Sequence, residues 1–261
     1  DTIQSRGLGD VYKRQGEVMY KYVAKYLILD KVYNFCRFTS GAAFISGVVL
    51  LLPLIYLALF QLPPDFQQGE SFRIIFVHVP SAIISELVYL FLAMCGFVYL
   101  VWRTKISVIL LNAAIVIGLI FTALVLITGS FWGKPTWGTF WVWDARITST
   151  FILFLQYIGL LVLRSSFNSY QTADQIMSIF SVLGAINIPI IKFSVEWWNT
   201  LHQGASITTS GTSIDSEYFY LLPMMLFSFL LLAYGIFANN VQSEILKRDR
   251  GSKRLREILD E

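Results

Sequence analysis

Two histidines, His78 and His202, stand in a chain of 261 residues. Neutral imidazole binds both iron and zinc well. Zinc fits poorly, because a structural site takes four protein ligands and a catalytic site three. The two cysteines, Cys36 and Cys95, are isolated, with no C-x-x-C or C-x-x-C-H spacing to complete such a set or to attach haem covalently. Two imidazoles on separate segments can instead approach a common point from opposite sides, the arrangement that two axial ligands of a haem iron need.

The second chemistry-bearing set is tryptophan. Trp132, Trp137, Trp141 and Trp143 fall within W-G-K-P-T-W-G-T-F-W-V-W-D-A-R, and Trp197 and Trp198 shortly precede His202. Large flat rings are suited to cover a porphyrin face, which buries a wide apolar area. Trp141 and Trp143 are two apart, so an extended backbone puts both on one side. Gly133, Pro135 and Gly138 predict that the first part of this stretch is not a regular helix, and Gly138 lets the backbone approach a flat ligand. Asp144 is placed to cap the helix that follows. Two propionates need cationic partners, and Arg73 and Arg146 are favoured because a guanidinium meets a carboxylate in bidentate fashion, with Lys134 and Lys192 next.

These residues have to be positioned by membrane helices. Hydrophobic residues make up 56% of the chain and charged ones 14%, against about 25% charge in soluble domains. Six apolar runs are long enough for a bilayer core of about 30 Å. They are Ala42–Leu62, Ala82–Trp102, Ile106–Phe131, Ile147–Leu163, Ile176–Phe193 and Tyr218–Ala238. The expected fold is therefore an all-α integral membrane protein. His78 lies in H-V-P-S-A, where Pro80 reads as the first residue of the second helix. Glu86, inside that run, has no role assigned from sequence.

Lys and Arg counts give the orientation, since cytoplasmic loops carry the excess. Of the 20, 16 fall in the two terminal segments and the second and fourth loops, and four (Arg73, Lys134, Arg146, Lys192) in the alternate loops. Both termini are expected in the cytoplasm, with the tryptophan-rich loop between the third and fourth helices outside. Both histidines and six of the seven tryptophans then face outward, whereas a headgroup belt of aromatics would be roughly symmetric.

A cleavable signal peptide is not expected. Residues 1–18 read as a non-native or disordered extension before Met19, residues 19–238 as the membrane domain, and residues 239–261 as a basic cytoplasmic tail contacting anionic headgroups. A net charge of +3 does not point to nucleic acid.

The run Trp137-Gly138-Thr139-Phe140-Trp141-Val142-Trp143-Asp144 resembles the W-G-x-x-W-x-W-D motif of the haem-handling proteins of cytochrome c maturation. With six helices, H-V-P-S-A, and V-E-W-W-N-T-L-H-Q-G after the fifth run, the chain is similar to the CcmC, or haem exporter protein C, family. That resemblance implies a multi-pass protein of the bacterial inner membrane, not an enzyme, with a periplasmic haem platform. Haem b would be held between His78 and His202 over the motif residues Trp137, Gly138, Trp141, Trp143 and Asp144, to which the residue reading above adds Trp132, Arg73 and Arg146. The implied partners are the haem chaperone CcmE, to which haem passes, and CcmA, CcmB and CcmD, any ATP hydrolysis belonging to the ABC subunits. A subunit that transports haem across the membrane and a b-type electron carrier are the alternatives.

Overall fold

The computed structural model describes residues 29–202, 207–208, 211–212 and 216–248. The stretch 1–18, Met19, Gly204 and the tail beyond Arg248 lie outside the described residues.

Among these residues, regular structure is helical apart from one pair of two-residue strands. The helices are α1 (Leu29–Tyr56), continued by a π-helical turn (Leu57–Gln61), α2 (Ile75–Trp102), entered through a 3-10 turn (Glu70–Ile74), α3 (Lys105–Trp137), α4 (Ala145–Ser165), α5 (Tyr170–Gly184) and α6 (Asn187–Trp197). Strands β1 (Ile207–Thr208) and β2 (Gly211–Thr212) pair antiparallel, and α7 (Ser216–Phe219) leads into α8 (Leu221–Arg248). Counting α5 and α6 together, six helical segments are long and apolar enough to cross a bilayer, so the chain is a multi-pass membrane protein.

The helices outrun the apolar stretches that define them. At 1.5 Å per residue, a 28-residue helix such as α1 is about 42 Å long and the 33-residue α3 about 50 Å, against a hydrocarbon core of about 30 Å. Hydropathy marks only the part in lipid. Thus α1 begins at Leu29 rather than Ala42, and α8 continues ten residues past Ala238.

Packing makes α3 the most buried of the spans and α1 the least. α1 lies mainly on α8, and α2 lies between α3 and α5. One core, with Phe76, Ile84, Phe121, Leu222 and Met225, fills the tryptophan-rich end of the bundle. A second, with Tyr89, Leu92, Ile115, Tyr157 and Met177, fills the seam among α2, α3, α4 and α5. Close approach there depends on Gly118, where an added Cβ would sit 2.1 Å from the Tyr157 ring. The buried Tyr157 hydroxyl donates to the Ser85 carbonyl at 2.7 Å.

Three sequence expectations are corrected. The second helix starts at Ile75, five residues before Pro80, because burying Ile75 and Phe76 (2% and 1% exposed) sets the start. Pro80 forfeits one bond to Phe76, and His78 is a first-turn helical residue.

Residues 133–137 are likewise helical: α3 carries Pro135 in its last turn and stops at Gly138, whose φ of +80° suits a glycine cap and whose N–H bonds the Lys134 carbonyl at 3.0 Å. The Thr136 hydroxyl donates back to Trp132 O, one turn earlier, at 2.8 Å.

The fifth run, expected to be continuous, is broken at Ala185 and Ile186. Side chains brace the break: Gln156 Nε2 donates to Gly184 O at 3.3 Å and Asn187 Nδ2 to Ser149 O at 2.9 Å.

Candidate functional site

α3 carries both histidine environments. His78, from the first turn of α2, lies edge-on to the Trp132 ring with centroids 5.7 Å apart, and its Nδ1 is 3.0 Å from the Thr128 hydroxyl. Thr128 and Trp132 are four residues apart on α3, hence on one face. Gly129 completes the wall: a Cβ there would be 3.1 Å from His78 Cε1. His202 follows α6 and lies 6.4 Å, centroid to centroid, from Trp137. Trp137 is five residues beyond Trp132, about 7.5 Å along the same helix. His202 and Arg146 are within electrostatic range of His78.

Trp132 is itself pinned. Its indole N–H donates to Gln68 Oε1 at 2.6 Å, and its ring meets Phe72 edge-on. Gln68 is held in a tight turn, in which Asp65 Oδ1 accepts from the N–H groups of Gln67 and Gln68 and Gly69 takes φ +58°. The loop between α1 and α2 is therefore tied to the tryptophan on α3.

Trp141 and Trp143 form a second aromatic group. The segment between Gly138 and α4 is not helical, and the two rings meet 5.3 Å apart, both against Phe151 of α4. Trp143 is 72% exposed, whereas the Trp141 Nε1 is buried with no hydrogen-bond partner among the described residues. Asp144 caps α4, its Oδ1 accepting from Ile147 N at 2.8 Å, while Oδ2 is buried and similarly unpartnered. A buried indole N–H and a buried carboxylate oxygen left open in this loop are groups a polar ligand edge could satisfy.

Neither arginine stands free. Arg73 pairs with Glu70 and donates to the carbonyls of Ala58 and Leu62, closing the π-helical end of α1. Arg146 donates to Ser194 Oγ and the Lys192 carbonyl, both 3.2 Å away, which joins the start of α4 to α6. A guanidinium has five N–H donors, so these bonds leave N–H groups on each. Glu86 lies within electrostatic range of Lys192 and Arg146. Lys134 donates to Gly138 O at 3.0 Å and covers the Phe140 ring.

A family model described as "Heme exporter protein C" matches residues 23–256. The chain belongs to the heme exporter protein C family. It is 40% identical over 233 residues to "Heme exporter protein C" of Escherichia coli K12, covering 89% of this chain and 94% of the relative. The protein of the same name from Bradyrhizobium diazoefficiens is 43% identical over 204 residues, 78% of each chain. A ccmC-like mitochondrial protein of Marchantia polymorpha, named for cytochrome c biosynthesis, is 49% identical over 204 residues, 78% of this chain and 82% of that one.

In this member of the heme exporter protein C family, sequence reasoning overlooked Gln68, Thr128, Gly129 and Phe151. Thr128 and Gly129 were within reach, since they stand one helical turn before Trp132. Gly129→Val is expected to displace the His78 ring, because the Cβ alone is tighter than ordinary contact and the γ-methyls add to it. A drop in haem affinity of about 10-fold or more, the scale of losses seen when a ligand's support is disturbed, with the helical circular dichroism unchanged, is the expected result.

Proposed function

We propose that this protein carries haem b as cargo at the tryptophan-rich end of its helical bundle and delivers it for cytochrome c maturation. The observation that carries the reading is the placement of both histidines of the chain at the last turns of one helix, each against a tryptophan of that helix. His78 and His202 would ligate the iron axially, while Trp137, Trp141 and Trp143 would cover the porphyrin. Covering half of one such ring, about 100 Å², contributes about 2.5 kcal/mol. Arg73 and Arg146 have N–H groups left for the propionates.

The names of the relatives support cytochrome c biogenesis, and the Lys and Arg distribution supports a periplasmic position for the site in a bacterial inner membrane. The protein acts by ligation and orientation, not as an enzyme. CcmE is the recipient, and CcmA, CcmB and CcmD are the assembly partners. The transporter alternative draws on the broken fifth span, since discontinuous helices mark transport sites. That break is filled, however: a Cβ on Gly184 would lie 2.0 Å from the Tyr89 hydroxyl, which leaves no room there for a porphyrin. Titrating haem into the protein purified in detergent tests the proposal. A saturable Soret band is expected, and its absence would overturn the reading.

A further inference from the structure

The hydrogen bonds around Thr128 determine which nitrogen of His78 can bind a metal. A threonine hydroxyl has one proton to give and two lone pairs. The Leu124 carbonyl, one turn back on α3, is 2.5 Å from Thr128 Oγ1 and accepts the hydroxyl's one hydrogen bond. Toward His78 Nδ1, at 3.0 Å, the oxygen can then only accept. The Val125 carbonyl, 3.4 Å from the same hydroxyl, is a further acceptor for the ring. Nδ1 must therefore carry the hydrogen, and Nε2 is left with its lone pair.

We infer that Thr128 is a positioning residue that fixes His78 as the Nδ1–H tautomer, with Nε2 presented for an axial bond to haem iron. This rests on the haem reading above. Gly129 and the Trp132 ring bound the imidazole on its other sides, so ring angle and tautomer are set together. A ligating histidine whose second N–H is so held is also a more basic ligand. His202 lies instead against Trp137.

The protein without haem gives the first test. In full-length protein with ¹⁵N-labelled histidine there are two side chains to observe, and His202→Gln assigns them. His78 is expected to show a protonated Nδ1 and an unprotonated Nε2. Thr128→Val, which keeps the shape, removes the hydroxyl acceptor and leaves only the Val125 carbonyl, is expected to give mixed tautomers and a haem affinity lower by about 10- to 100-fold. Thr128→Ser should restore both. An Nε2–H tautomer in the wild type, or a Val variant with unchanged tautomer and affinity, overturns the inference. The wild-type spectrum decides even if Thr128→Val does not fold. A wild type with no Soret band overturns the haem reading itself, whereas a Soret band together with the Nε2–H tautomer overturns only the role of Thr128.

Discussion

A His78→Ala, His202→Ala double variant is expected to lose the Soret band that the wild type acquires with haem, at a cost of at least about 100-fold in affinity, or about 2.8 kcal/mol. Each single variant should keep a weaker, spectrally altered complex, because one axial ligand and the aromatic cover remain. That pattern separates ligation from simple partitioning of haem onto exposed tryptophans, which would leave the double variant unchanged. The fold is not at stake. Thr128 keeps its bond to Leu124 when the imidazole is gone, and Gly129 needs no neighbour there. The thermal midpoint of the double variant without haem, compared with wild type, checks this independently of the Soret measurement.

The sequence carried the membrane fold because apolar runs of bilayer length have no other common use. It did not carry the helix ends. Intrahelical bonds continue to form after the hydrocarbon stops, so Leu29–Gly41 and Asn239–Arg248 are helical although they are polar enough to read as arm and tail. Glycine and proline misled in both directions. In W-G-K-P-T-W they read as loop, yet Gly133 is helical because its missing side chain makes space for Trp137, whose ring a Cβ would meet at 2.8 Å. In Gly184–Pro189 they truly mark a break, with Pro189 in the first turn of α6, where its missing N–H costs least.

The candidate site was legible where residue type is rare. Two histidines and a tryptophan cluster stand out against leucine and valine. Their supports, Thr128, Gly129 and Gln68, belong to common types; helical spacing from Trp132 marks the first two, but the packing of α2 on α3 and the turn at Asp65 give all three their roles. The arginines illustrate the converse. Arg73 and Arg146 were legible as scarce cations, but their bonds to the Ala58, Leu62 and Lys192 carbonyls depend on where a π-turn ends and where a separate helix packs, which no local pattern encodes.

Asp174→Asn is expected to destabilise the protein by about 3–5 kcal/mol, the range for breaking a buried ion pair from one side. Arg248, at the opposite end of the bundle from the histidines, reads from sequence as one of a cluster of basic residues facing lipid headgroups. In the fold it makes a bidentate pair with Asp174 of α5, at 2.6 and 2.7 Å, with side chains 8% and 7% exposed, and its guanidinium lies over the Tyr170 ring. Glu244, also buried, holds Arg164 and Lys247 beside it. These pairs lock the last turns of α8 to α4 and α5. Removing the Asp174 charge leaves a cation that burial keeps from water, so the loss should exceed that of an exposed pair, about 0–1 kcal/mol. An Asp174→Asn, Arg248→Gln double variant removes the stranded charge and should recover part of the loss. Thermal unfolding of the two single variants and the double in detergent closes the cycle. Equal destabilisation of the Asp174→Asn single and the double would contradict a buried-charge origin, and since His78 and His202 are at the far end, haem affinity of the folded variants should stay within about twofold of wild type.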